Sequence, residues 1–219
     1  MRTLALSLIV STALSAALCE AQIAPVVGKQ RIVRDVTDPE GKLVSHSVTL
    51  RKYLRNSAGS TITQTYSAQG GEAEILSGQF EDYSRRKIYQ LNYGNHEAVE
   101  LADLPSGPHP EYLAGTKSAL GEETVNGFPC LIHPTYLISD GTKRLIGKAY
   151  DSARYGLHIK EDNTFEFSGT RTHEIVELYD IQFVEPDPKE FELEGFSFKG
   201  KGPAACTKPG ASASAELLK

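Results

Sequence analysis

Beyond its first two dozen residues the chain has no apolar run that could cross a bilayer, no long helical stripe and no residue spacing that would clasp a metal ion. A spanning helix needs ~20 consecutive apolar residues, so a chain without a later one is expected to be soluble and not membrane-spanning once its start is removed. Without a period near 3.6 between Gln22 and Lys201, a helical bundle is excluded and β structure is left. Six histidines are present, but no two stand where one strand or helix turn would bring both to the same ion, and no cysteine pair accompanies them. His46 shares a face with Val44, Val48 and Leu50 and reads as a hydrogen-bonded core or edge residue, while His133 and His173 read as surface residues. No cofactor is implied.

Catalytic signatures are missing as well. No serine sits in a Gly-x-Ser-x-Gly elbow, and neither Cys130 nor Cys206 follows an electropositive helix start that would lower a thiol pKa. The pairs Glu122 and Glu123, and Glu97 and Glu100, read as solvated strand charges. Gly70-Gly71 and Gly200-Lys201-Gly202 lack the strand-loop-helix setting of a phosphate cradle. A non-enzymatic protein is expected. Lysine and arginine number 23 against 28 acidic residues, for a net charge of −5. Because the two signs are interleaved, no nucleic-acid surface is expected.

What is present begins with an export signal. Arg2 precedes Leu4-Ala5-Leu6-Ser7-Leu8-Ile9-Val10 and a small-residue stretch through Ala21, the order of a secretory signal peptide. Cleavage fits after Cys19 or after Ala21, and Ala21 is preferred. Lipidation of Cys19 is opposed by Leu18, where a lipid-attachment box has a small residue. The expected organisation is a signal peptide over 1–21, one β domain over 22–199 and a disordered tail over 200–219, rich in Gly, Ala, Ser and Pro. The expected location is periplasmic or extracellular. Such a compartment permits a disulfide between Cys130 and Cys206, closing a loop of roughly 75 residues. A buried thiol at Cys130 and an unpaired one in the tail is the alternative, and the sequence leaves both open.

Period-two alternation runs through the domain. Ile32, Arg34 and Val36 lead to the turn Asp38-Pro39-Glu40-Gly41 and on to His46, Val48 and Leu50, a first hairpin. Thr61 to Tyr66 is a strand, followed by the turn Gln69-Gly70-Gly71. Short strands are expected over 72–76, 86–93 and 97–101, with turns at Ser77-Gly78 and Tyr93-Gly94-Asn95. Pro105, Pro108 and Pro110 mark a crossing connection over 104–115, with a short helical turn near 111–114. Asn126-Gly127 predicts a two-residue hairpin turn and Asp140-Gly141 a second. Tyr155, Leu157 and Ile159 form one later strand, and Phe165 and Phe167 begin another. Val176 and Leu178 stand at even positions but Ile181 and Phe183 at odd ones, which predicts a β-bulge near Tyr179-Asp180. Pro188 opens a single helical turn that tucks Phe191 under the sheet.

Three stretches carry a family resemblance: Gln79 to Tyr93, Leu120 to Cys130, and Ile181 to Phe191 with its Glu185-Pro186-Asp187-Pro188 core. They are similar to a recurrent pattern in secreted bacterial proteins that resemble the periplasmic lipoprotein-carrier (LolA and LolB) superfamily. The resemblance implies a mainly β fold: a single curved antiparallel sheet, a half-barrel with few short helices. In the carriers that sheet and its helices enclose a cavity for acyl chains. Here the long lid helices are not visible, and no carrier functional residue transfers to a numbered position.

The function expected is binding of an apolar ligand, a lipid or the acyl part of a lipoprotein, on the sheet. Candidate lining residues are Val48, Leu50, Ile132, Tyr136, Ile138, Leu157, Ile159, Val176 and Leu178, unless they simply form the core. The alternative is a module that docks on another envelope protein through a sheet edge or its tyrosines, Tyr53, Tyr66, Tyr83, Tyr89 and Tyr93.

Overall fold

A computed structural model describes residues 23–67, 74–104, 120–139, 141–167 and 169–200. The export segment, the Gln69-Gly70-Gly71 turn, the crossing after Leu104 with its helical turn, Asp140, Cys206 and the tail beyond Gly200 lie outside the described residues. The first half supplies β1 (Val26–Thr37), β2 (Leu43–Arg55), β3 (Thr61–Tyr66), β4 (Ile75–Asp82), β5 (Lys87–Asn92) and β6 (Glu97–Asp103). The second supplies β7 (Gly121–Val125), β8 (Phe128–Ser139), β9 (Thr142–Ser152), β10 (Leu157–Phe167), β11 (Thr170–Gln182) and β12 (Ser197–Lys199). All twelve belong to one sheet, in the order β12-β6-β5-β4-β3-β2-β1-β11-β10-β9-β8-β7.

This corrects the expected half-barrel. The sheet is mixed, because β12 pairs parallel to β6, and it is neither closed nor strongly curled, since β12 and β7 end a linear order. Nor are there the few short helices expected: among the described residues the only helical backbone is the 3₁₀ turn Pro188–Phe191. The core shows why one concave face does not form. Alternate residues of a strand point to opposite faces, and directly paired residues share a face. Val27, Leu54, Ile62, Phe80 and Tyr89 are successive register partners across β1 to β5 and make one apolar row. We call theirs the back face. Their chain neighbours Val26 and Tyr53 point to the front face, where they pack with Leu178, Cys130, Tyr150, Leu157 and Ile159. The two halves of the sheet thus bury their apolar residues on opposite faces, with β1 and β2 serving both.

The back-face row is covered by the chain's own C-terminal segment. Asp187 caps the 3₁₀ turn, its carboxylate accepting from the Lys189 amide at 3.0 Å. Phe191 then lies with its ring centroid 6.2 Å from that of Phe80, and Phe196 reaches Tyr93 at 5.4 Å. Both rings are partly buried, so each contributes less than the ~1.5–3 kcal/mol of a fully buried side chain.

Local chemistry sets most turns where the pattern placed them. Asn126 and Gly127 take φ of 52° and 83°, as a tight hairpin requires. The bulge falls at Tyr179-Asp180: register slips between Val27 and Lys29 opposite it, Asp180 adopts φ 50°, and Ile181 returns to the front-face core. Two boundaries differ. β4 continues through Ser77-Gly78, where Gly78 is small because an added Cβ would lie 2.6 Å from the Thr63 carbonyl oxygen. β10 runs unbroken from Leu157 to Phe167, so Phe165 and Phe167 extend that strand and do not begin another.

Candidate functional site

The expected ligand-lining residues divide between the two faces. Leu50 faces Arg31, which faces Glu177, the chain neighbour of both Val176 and Leu178. Leu50 and Val48 therefore stand on the back face, while Val176 and Leu178 point to the front. There Leu157, Ile159 and Leu178 are at most 2 % exposed within the core, and Ile132 packs against it. Tyr136 lies beneath the Lys143 ammonium, which is 4.0 Å from its ring centroid, and Ile138 is exposed near the end of β8. The structure thus gathers Ile132, Leu157, Ile159 and Leu178, and leaves Val48 and Leu50 apart from them. Cys130 is a buried thiol whose Sγ is 3.3 Å from the Phe128 carbonyl oxygen; burial pushes its pKa up to about 11.

Val48 and Leu50 are 52 % and 53 % exposed, although they belong to a long, well-paired strand. Val48 faces Val33, and Val33 faces Ile175, an apolar row across β2, β1 and β11. Beside it a groove of about 760 Å³ is lined by Val27, Leu50, Tyr66 and Tyr179 together with Lys29 and Lys52, which stand opposite each other between Val27 and Leu50. Lys29 pairs with Asp180 at 2.9 Å and Lys52 pairs with Glu190, so the cations are locally matched. Val33, Ile175, Tyr66 and Tyr179 were not among the expected lining residues; their alternation was visible, but only register brings them together.

A larger recess, about 980 Å³, lies between the β1–β2 and β10–β11 turns and is lined by Asp35, Asp38, Arg144, Glu166, Arg171 and His173. Its charged groups find partners close by: His173 Nε2 is 2.9 Å from Asp162, and Asp35 is 2.6 Å from His46 Nδ1. Its lining also includes Pro39 and the exposed Leu43 and Phe167. Among the described residues no group of three or more His, Cys, Asp and Glu is placed to hold a metal ion.

His158 is the most perturbed histidine. Its burial opposes the charge, but Asp151 at 2.7 Å from Nδ1 and Glu161 at 3.6 Å from Nε2 outweigh it and raise its pKa to about 10. A folded-state pKa above the ordinary 6.5 means the pair stabilises fully below that value and is lost as pH rises through about 10. Denaturation midpoints measured from pH 6 to pH 10.5 are expected to fall toward the alkaline end, and His158→Gln is expected to flatten that fall.

No protein-family model matches the chain, and no curated protein matches it in sequence. Among solved structures, PNGF-II is similar with a TM-score of 0.42 and 11 % identity over 80 % of this chain, which spans 31 % of that one. A LolA superfamily protein from Nitrosomonas europaea gives a TM-score of 0.35 and 9 % identity over 76 % of this chain and 90 % of its own. A candidate outer membrane lipoprotein-sorting protein domain from Vibrio parahaemolyticus gives 0.33 and 10 %, over 77 % and 89 %. The likeness to these folds is distant.

Proposed function

We propose that this is a secreted, non-enzymatic protein that binds an apolar ligand, a lipid or the acyl part of a lipoprotein, on the back face of β2, β1 and β11. The observation that carries the reading is the pairing of Val48 and Leu50, each about half exposed, with the groove that Leu50 enters. Large aliphatic side chains in that position gain ~1.5–3 kcal/mol each when covered. An acyl chain can lie along the row Val48, Val33 and Ile175 and end in the groove between Tyr66 and Tyr179. The front-face candidates serve as core.

Titration of the purified protein with a fluorescent fatty acid, with native mass spectrometry for carried lipid, tests this. Leu50→Asp is expected to weaken uptake by at least ~10-fold without unfolding an exposed position. A wild-type protein that takes up no probe and carries no lipid, or an unaltered affinity in the variant, overturns the reading. Docking on an envelope protein is the second reading, favoured by the exposed edge of β2.

A further inference from the structure

β2 is 13 residues long, yet β3 pairs only with its last part, from Arg51 to Arg55. Among the described residues no strand pairs with the outer edge of Leu43–Leu50, and seven of those eight residues are exposed. Free edges are templates for another strand, and proteins guard them with charge, proline or brevity. The other edges here are guarded. β12 has three residues and its Lys199 pairs with Glu97. β7 has five residues and carries Glu122 and Glu123. The stretch of β8 beyond β7 carries Pro134, which has no amide hydrogen to offer. Leu43-Val44-Ser45-His46-Ser47-Val48-Thr49-Leu50 contains no charged residue, no proline and no glycine; its one irregularity is at Val44, where the register on β1 slips between Ser45 and Leu43, and the stretch from Ser45 to Leu50 is regular.

The same segment is a near-palindrome, Val44-Ser45-His46-Ser47-Val48 reading alike in both directions. We propose that Leu43–Leu50 pairs antiparallel with the same strand of a second copy, about a two-fold axis through His46. Antiparallel pairing on that axis sets Val44 against Val48, Ser45 against Ser47 and His46 against His46 of the other copy, while Leu43 meets Thr49 and Leu50 meets Lys42. The two His46 rings meet at the axis, each with its Nδ1 2.6 Å from Asp35 of its own copy. Leu43, Val44, Val48 and Leu50 are each more than half exposed. The resulting dimer is of moderate affinity and joins two sheets edge to edge.

Sedimentation equilibrium of the purified protein over ~1–200 µM tests it, and does not depend on the lipid reading, whose readout is probe uptake. Wild type is expected to dimerise with a midpoint in the tens of micromolar, ~10–100 µM. Ser45→Lys with Ser47→Lys sets ammonium against ammonium at both pairs and is expected to leave a monomer. Ser45→Glu with Ser47→Lys sets opposite charges at the same pairs and is expected to restore the dimer. A wild type that is monomeric throughout, a dilysine variant that still dimerises, or a mixed-charge variant that stays monomeric overturns the proposal.

Discussion

Replacing Gly147 with alanine is expected to cost ~3 kcal/mol or more, seen as a lower denaturant midpoint with an unchanged slope. Gly147 sits in the middle of three strands, paired with Thr135 of β8 on one side and Asn163 of β10 on the other. Those two side chains bond to each other across it, Thr135 Oγ1 donating to Asn163 Oδ1 at 2.5 Å. An added Cβ would lie 2.0 Å from the Asp162 carbonyl oxygen, 2.5 Å from that Oδ1 and 2.8 Å from the Asn163 Cα. Two of these atoms are backbone, so β10 itself must move, and it is the strand that carries Leu157 and Ile159 of the front-face core. Removing the Asn163 side chain in the same molecule would leave the 2.0 Å contact in place, so Asn163→Ala is expected not to rescue. Gly121 is the control: its nearest neighbour would be Ile132 Cδ1 at 4.0 Å, and Gly121→Ala is expected to change stability by no more than ~0.5 kcal/mol. A near-neutral Gly147→Ala would show that the strands separate more easily than their close approach implies.

The features that were legible in the sequence are those whose cause is local. Asn126-Gly127 announces its turn because few other residue pairs take two positive φ angles in succession. The bulge at Tyr179-Asp180 is legible because the parity of apolar positions changes across it, and the turn at Pro188 because proline fixes φ where a helix begins. Gly78 was misread as a turn because a glycine that makes room for a neighbouring carbonyl looks, in sequence, like one that bends the chain. What stayed hidden depends on which strand lies beside which. Val48 lies between polar neighbours and Val176 between Ile175 and Glu177, and nothing in either strand says that they point to opposite faces. That relation is set by the register of β2 on β1 and of β1 on β11. The half-barrel failed for the same reason: its premise was a single apolar face, and the change of face between Tyr53 and Leu54 is visible only after pairing. Of the candidate site the sequence supplied Val48 and Leu50, while the groove residues Tyr66 and Tyr179 come from strands that meet only in the folded sheet.

Arg55 shows the same limit, since an arginine at the end of a strand ordinarily reads as solvated, and here it is wholly buried. Its guanidinium spreads over main-chain acceptors from two distant segments. Nε donates to the Ala24 carbonyl at 3.0 Å, Nη2 to that of Tyr155 at 2.8 Å, and Nη1 to that of Gly156. The planar fork suits this arrangement, since each donor leaves in a fixed direction. Arg55 therefore fastens the segment leading into β1, and the turn between β9 and β10, to the end of β2. Around that turn Tyr155 stacks on Phe183 at 4.5 Å and meets Phe128 edge-on. Arg55→Leu replaces the side chain with an apolar one of smaller volume and leaves these carbonyls without their donor, at ~1–3 kcal/mol for each that stays buried. A loss of about 3–5 kcal/mol is expected in chemical denaturation, together with weaker near-ultraviolet dichroism from the loosened tyrosine. Arg55→Lys keeps the charge but aims fewer donors, and an intermediate loss is expected. If Arg55→Leu and wild type unfold at the same denaturant concentration, the carbonyls have found water, and this arginine does not hold the two halves of the sheet at their common end.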